Sequence, residues 1–127
     1  MKMNCNNVEI TVLQLKHLQI ACVYSRPKES VNALISSMNR LIKRLHQNIP
    51  IVIMGDFNCD IRQTNNRGKK LLQFMEACGF QQLIKEFTTD GNTFIDLIFT
   101  NPKQDIECGT LESYCSYHKP LWMAIQK

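Results

Sequence analysis

The amino-acid sequence predicts an α/β domain built as a layered sandwich of sheet and helices. Two segments near the amino terminus carry the apolar and β-branched residues that strands favour. A longer segment then repeats apolar residues with helical spacing. Residues 51–54 are apolar on both faces, which is typical of a central strand covered on each side. At 127 residues the chain is long enough for one modest core, so a single domain over residues 1–127 is expected.

Composition and charge favour an ordinary globular protein. Hydrophobic residues make up 44% and charged residues 20% of the chain. The polar amino terminus and the lack of a long apolar run give no signal for secretion or membrane insertion, so we expect an intracellular protein, nuclear or cytoplasmic, without membrane contact. The six cysteines form no close-spaced framework and are expected to be reduced thiols. A net charge of +4 mildly favours an anionic partner such as nucleic acid.

The first half of the chain is predicted to form a hairpin and a helix. Residues 8–15 and 18–24 are expected to be the two strands, separated by Lys16 and His17. Pro27 can occupy the first turn of the helix that follows. This helix is predicted to be long and amphipathic, because apolar residues recur at Val31, Leu34, Ile35, Met38, Leu41, Ile42 and Leu45.

The second half continues with the buried strand, a second helix and further strands. Gly55 ends the buried strand, and a polar stretch over residues 60–66 leads to a helix with Leu71, Leu72, Met75 and Cys78 on one face and Gly79 as its stop. Strand segments at residues 82–84, 93–99 and 121–125 follow, with a turn at 88–92 and a loop at 101–102. The basic groups Arg40, Lys43, Arg44 and Arg67, Lys69, Lys70 are interpreted first as two solvated helix faces.

The end of the buried strand carries the most informative polar residues, Asp56 and Asn58. Ligand sites in α/β folds favour such a sheet edge. There Asp56 can orient or deprotonate a water, and Asn58 can donate hydrogen bonds to a phosphoryl oxygen. The alternative is a simple turn in which Asp56 only ends the strand.

A second carboxylate, Asp96, interrupts an apolar strand segment. Burial without a partner would cost several kcal/mol, so a partner is expected unless Asp96 faces solvent at a sheet edge. A histidine ring is a suitable partner, because a carboxylate fixes its tautomer and raises its basicity. His118 lies in a loop before the last strand, where a catalytic imidazole can be exposed, although a lone histidine is more often structural.

Taken in order, Tyr24, Gly55-Asp56-Phe57-Asn58, Ile95-Asp96-Leu97 and Ser116-Tyr117-His118 resemble the latter half of the endonuclease/exonuclease/phosphatase superfamily. The resemblance runs from about residue 8 to residue 125 and is greatest to the apurinic-type endonuclease domains of mobile genetic elements. It implies the carboxyl-terminal half of a four-layer, DNase I-like α/β sandwich. It also implies a phosphodiesterase that requires Mg²⁺ or Mn²⁺ and acts on DNA.

The resemblance assigns roles to individual residues. Asp56 positions or activates the attacking water, and Asn58 steadies the phosphate. Asp96 orients His118, and His118 assists at the scissile phosphate. Tyr24 touches a phosphate oxygen, although a core aromatic is an equal alternative.

Two departures from the family pattern lead us to expect an impaired enzyme. Tyr117 stands where the family has an acidic residue that helps to hold the metal, and a phenol does not readily replace a carboxylate on magnesium. Nothing upstream of Val8 corresponds to the family's amino-terminal half, which supplies an asparagine and a metal-binding glutamate. We therefore expect an incomplete domain with one sheet face left without its partner, and instability or aggregation as a consequence.

Three functional hypotheses remain open from the sequence. The first is a magnesium-dependent DNA endonuclease, and the second is a non-catalytic remnant that binds nucleic acid weakly. The third is a phosphatase acting on a phosphoinositide or another small phosphate ester, because one fold hosts several functions. A zinc site of Cys108, Cys115 and His118 is disfavoured, because the spacing is poor and no fourth ligand is evident.

Overall fold

The computed structural model describes residues 2–5, 7–27, 29–61, 66–91, 93, 95–101, 106–113 and 116–125. Six of the described strands form one mixed sheet in the order β1-β2-β3-β4-β6-β5, and two more pair as a separate hairpin. The elements are β1 Lys2–Cys5, β2 Val8–Gln14, β3 Gln19–Ser25, α1 Val31–Arg44, β4 Ile51–Asp56, α2 Asn66–Ala77, β5 Gln81–Gln82, β6 Asp96–Thr100, β7 Ile106–Thr110 and β8 Leu121–Ile125.

Helix α1 makes β3 and β4 parallel neighbours, because it crosses from the end of one strand to the start of the next. The helix begins at Val31, where the Ser30 side chain accepts a hydrogen bond from the Ala33 N–H at 3.1 Å. Pro27 therefore lies in a turn before the helix and not in its first turn. The predicted hairpin is confirmed, with β2 and β3 antiparallel.

The two faces of the large sheet are covered differently. Both helices pack on one face, where their apolar residues join alternate residues of β2, β3, β4 and β6 in the main core. The β7–β8 hairpin packs on the other face, over Val52, Ile84 and Ile98. Helices, mixed sheet and a second small sheet thus form successive layers, as the predicted α/β sandwich requires.

The second face of the sheet is covered only in part. Along β2 and the turn after it, Leu13 is 55% and Leu15 is 48% exposed, and on β3 Cys22 and Tyr24 also reach solvent. Strand residues two apart share a face, so Cys22 and Tyr24 point to the same side of the sheet as Val52. This exposed stretch is here called the open sheet face.

Some element boundaries differ from the prediction. The strand expected over residues 93–99 begins only at Asp96, because the Ile95 N–H bonds to the Thr88 side chain instead of to a strand. The strand expected at 82–84 is shorter because the Gln82 amide bonds both backbone groups of Ile84. Strands β1 and β7 were not predicted. Parts of the predicted segments at 60–66, 88–92, 93–99 and 101–102 lie outside the described residues.

The basic helix faces are exposed at every residue except one. Arg40, Lys43 and Arg44 on α1 reach solvent, as do Lys69 and Lys70 on α2. Arg67 is half-buried and interacts with the buried Cys59. Its interpretation as a solvated cation was therefore wrong.

The described cysteines whose side chains can be placed are free thiols: Cys22, Cys59, Cys78 and Cys108. Cys115 and the side chain of Cys5 lie outside the described part of the chain. Within that part, neither helix has the length and hydropathy needed to cross a bilayer.

Candidate active site

Three polar residues form a row across the ends of neighbouring strands. Tyr24 on β3 is the direct partner of Asp56 on β4, and Asp56 is the direct partner of Asp96 on β6. Side chains of directly opposed residues share a face. The row therefore lies on the same side of the sheet as the β7–β8 hairpin, where the apolar stripe of Val52 and Met54 gives way to carboxylates. Glu9 on β2 is opposite Tyr24 and extends the row by one strand.

The chain turns sharply after Asp56. Asp56 Oδ1 accepts a hydrogen bond from the Asn58 N–H at 3.0 Å, and Asn58 has a positive φ of 47°. The Asn58 side chain donates to the Ser25 carbonyl oxygen at 2.5 Å and so ties the turn to the end of β3. The turn predicted as the structural alternative is thus present, and it leaves Asp56 Oδ2 facing the site.

The structure brings Asp96 and His118 together. Asp96 Oδ2 lies 2.7 Å from His118 Nδ1, and the two side chains are 12% and 39% exposed. A neutral ring bonded in this way carries its proton on Nδ1 and offers Nε2 to a substrate. His118 Nε2 lies 3.5 Å from Asp56 Oδ2, which is too long for a strong hydrogen bond. The alternative that Asp96 faces solvent was wrong.

Burial and neighbouring charges shift the pKa of His118 and of Asp56. Burial acts to lower the pKa of His118, but the hydrogen bond and charge of Asp96, with the charge of Asp56, outweigh it, and the net pKa is raised. Burial raises the pKa of Asp56, and the charge of Asp96 raises it further. The hydrogen bond from the Asn58 N–H and the charge of His118 lower it, but the net pKa is raised. The site therefore combines an imidazole that holds its proton more firmly with a carboxylate that accepts one more readily.

The segment that carries His118 is attached to the loop before β6. Thr89 and His118 form an antiparallel bridge. On either side of it, the Asp90 N–H donates to the Tyr117 carbonyl at 3.0 Å and the Lys119 N–H donates to the Thr88 carbonyl at 2.7 Å. Sequence reasoning missed Thr88 and Thr89, whose only signal was a turn-like composition.

Tyr24 and Tyr117 are both exposed. Tyr24 is 43% exposed, so its interpretation as a core aromatic was wrong. The ring of Tyr117 is set edge-on to that of His118, with centroids 5.9 Å apart, and its hydroxyl lies against Gly91. The phenol therefore occupies the border of the site and turns away from the carboxylates.

The group Asp56, Asp96 and His118 can approach a metal ion, since one donor atom from each lies within 4.8 Å of the others. Magnesium prefers six oxygen ligands in near-octahedral order. Here one donor is a nitrogen, and Asp96 is already bonded to His118. Two carboxylates and one imidazole supply fewer oxygen ligands than magnesium needs, so these residues fit part of a magnesium site and do not complete it.

A cavity and the thiol of Cys108 lie away from the candidate active site. A cavity of about 500 Å³ lies at the opposite end of β3 and β4, lined by Lys16, His17, Leu18, Asn48, Ile49, Pro50 and Ile125. Cys108, considered as a zinc ligand, belongs to the apolar cluster under the hairpin, with its Sγ 3.6 Å from the Leu83 carbonyl oxygen. Neither contains a member of the carboxylate–imidazole group.

The chain has the DNase I-like fold of the endonuclease/exonuclease/phosphatase superfamily. More narrowly, the chain belongs to the endonuclease-reverse transcriptase family, whose sequence profile matches residues 18–122. No curated protein sequence matches the chain.

Several solved structures share the fold of the chain. The endonuclease domain of TRAS1, a telomere-specific non-LTR retrotransposon, superposes with a TM-score of 0.69 at 15% identity, over 94% of this chain and 62% of that one. A family protein from Leptotrichia buccalis gives 0.65 at 14% identity, over 94% and 54%. Cytolethal distending toxin from Actinobacillus actinomycetemcomitans gives 0.69 at 11%, over 94% and 53%. The chain thus spans between about half and three fifths of these structures.

Proposed function

We propose that the chain is part of the catalytic domain of a DNA endonuclease of mobile-element origin, which hydrolyses phosphodiester bonds. The observation that carries the proposal is the contact of Asp96 with His118 beside Asp56. A carboxylate that orients an imidazole, set next to a second carboxylate, is suited to moving a proton and stabilising charge at a phosphate. The net charge of +4 favours a polyanionic substrate.

Each residue has a distinct task in the proposed reaction. Asp56, with its raised pKa, accepts a proton from the attacking water, whose oxygen forms the new bond to phosphorus. The bond from phosphorus to the leaving sugar oxygen breaks at the same time, and that oxygen takes a proton from solvent water. His118, held by Asp96 and protonated to the imidazolium, donates its Nε2–H to a phosphoryl oxygen. Asn58 steadies the phosphate with its second amide N–H, and the exposed hydroxyl of Tyr24 contacts another phosphate oxygen.

A divalent cation, Mg²⁺ or Mn²⁺, is proposed as the cofactor, and it would lie beside the group of Asp56, Asp96 and His118. When bound, it would neutralise charge that develops on the phosphate. Its remaining ligands would come from water, from the phosphate and from a larger domain. The stretch of solved structures not spanned by this chain, together with the open sheet face, supports the proposal that the domain is larger than residues 1–127.

Plasmid nicking tests the proposed function. The larger domain that contains this chain, purified with Mg²⁺, should convert supercoiled plasmid, or a duplex with an abasic site, to nicked product, and a chelator should stop it. His118→Ala and Asp56→Asn should each reduce the rate by about 10²-fold or more. His17→Ala, at an exposed histidine far from the site, is the matched control and should keep the full rate. Full rates in both site variants, or no nicking by the folded wild-type domain, contradict the proposal.

Tyr117 favours a second candidate, a non-catalytic remnant that binds nucleic acid weakly, because it replaces the family's acidic ligand. Mg²⁺ titration followed by calorimetry separates the two candidates. Tight binding at one site contradicts a remnant, whereas wild-type chain that binds no Mg²⁺ supports it. Tyr117→Asp restores a carboxylate and should strengthen Mg²⁺ binding if the remaining ligands are intact.

A further inference from the structure

Thr88 links both halves of the Asp96–His118 pair through hydrogen bonds to backbone groups. It is fully buried, and its hydroxyl oxygen accepts hydrogen bonds from the N–H of Asp96 at 3.1 Å and of Ile95 at 3.2 Å. The same hydroxyl lies 3.2 Å from the Thr93 carbonyl oxygen, to which it donates. One side chain thus fixes the backbone at the first residue of β6, which carries the carboxylate.

The backbone of Thr88 holds the other partner. Its carbonyl oxygen accepts the Lys119 N–H at 2.7 Å, directly after His118 in the chain. Thr89 continues the connection through its bridge to His118 and through a hydroxyl contact of 2.7 Å with Thr93. A single buried residue, Thr88, therefore holds both the backbone of Asp96 and the backbone next to His118, whose side chains are 2.7 Å apart.

We propose that Thr88 is a positioning residue, which sets the distance and direction of the Asp96–His118 contact through its hydroxyl and its carbonyl oxygen. This proposal deepens the proposed function and rests on it for the catalytic consequence. A hydroxyl is needed because valine has the same shape but accepts no hydrogen bond, and two buried N–H groups would then lack a partner. The start of β6 would shift to find other acceptors, and the carboxylate would move with it.

The test reads the imidazole directly and does not depend on activity. In the full chain with chelator, the ring ¹⁵N signals and the Nδ1 proton of His118 are recorded by NMR for wild type, Thr88→Val, Thr88→Ser and Asp96→Asn. Thr88→Val should lose the hydrogen-bonded Nδ1 proton signal and move the ring nitrogens toward the values of Asp96→Asn. Thr88→Ser keeps the hydroxyl and should retain the wild-type ring signals.

Thr100→Val is the matched control. Thr100 is also a buried threonine, at the other end of β6, and among the described residues its hydroxyl has no hydrogen-bond partner. Its substitution should leave the His118 signals unchanged. A merely structural threonine would make the two valine variants alike, so equal ring signals in folded Thr88→Val and wild type overturn the proposal.

Thr88→Ser decides the question if Thr88→Val does not fold. Wild-type ring signals in the serine variant support the role of the hydroxyl, and signals like those of Asp96→Asn overturn it. Where nicking is measurable, Thr88→Val should lower kcat by about 10²-fold with little change in KM, as expected for misplaced reacting groups. A chain without nuclease activity would refute the proposed function and leave the ring measurement valid.

Discussion

Replacement of Gly55 by alanine should destabilise the sheet at the edge that carries the site. An added Cβ would lie 1.9 Å from the Val23 carbonyl oxygen on β3, and Gly55 has a φ of +146°, where side chains are strained. Real Cβ contacts essentially never fall below 3.0 Å, so β3 and β4 must separate by about 1 Å. Strain of about 1–3 kcal/mol and one lost hydrogen bond of about 1 kcal/mol predict a loss of about 2–4 kcal/mol.

Urea denaturation measures this loss. With a mid-range slope of about 2 kcal/mol per M, the midpoint should fall by about 1–2 M. Gly79→Ala is the control, because Gly79 also has a positive φ, +87°, but a Cβ there meets nothing within 4 Å. Gly79→Ala therefore measures the cost of backbone strain without a steric clash. A midpoint for Gly55→Ala no lower than that of Gly79→Ala would refute the close approach of β3 and β4.

Three further substitutions test the site and the fold by denaturation. Asp56→Asn should raise the urea midpoint at neutral pH. Burial raises the pKa of Asp56, so the stability due to its protonated form is lost as pH rises from 3.8 through the pKa in the folded state. The stability due to His118 should be complete below pH 6.5 and lost as pH rises through its raised pKa, and Asp96→Asn should flatten this loss. Ser30→Ala should cost about 1 kcal/mol, because the Ala33 N–H loses its acceptor. A lower midpoint for Asp56→Asn would contradict the first prediction, and an unchanged pH profile for Asp96→Asn would contradict the second. An unaltered midpoint for Ser30→Ala would contradict the third.

The elements predicted well are those whose burial follows a simple period. The hairpin, α1, α2, β4 and β8 each show apolar residues at strand or helix spacing, because each buries a face against the sheet or forms its middle. β1 and β7 are short and hold only two alternating apolar residues each, Met3 and Cys5 in one and Ile106 and Cys108 in the other, which is too few to predict a strand. Their pairing depends on neighbouring strands rather than on their own residues.

The candidate site was predictable where an energetic cost demands a partner. A carboxylate within an apolar strand needs a donor, and this reasoning predicted a partner such as a histidine for Asp96, whereas the family resemblance singled out His118. Thr88 gives no such signal, because a threonine in a polar turn is ordinary and its bonds go to backbone groups. The tie from Asn58 to the Ser25 carbonyl is hidden for the same reason.

The bridge between Thr89 and His118 separates assembly of the site from assembly of the sheet. β3 and β4 can pair once α1 has formed, whereas the imidazole arrives only when a segment 22 positions beyond Asp96 has returned to the loop before β6. Closing such a connection has an entropic cost that grows slowly with the length of the enclosed segment. Local opening of the bridge between Thr89 and His118 would therefore separate the imidazole from Asp96 while the core stays intact.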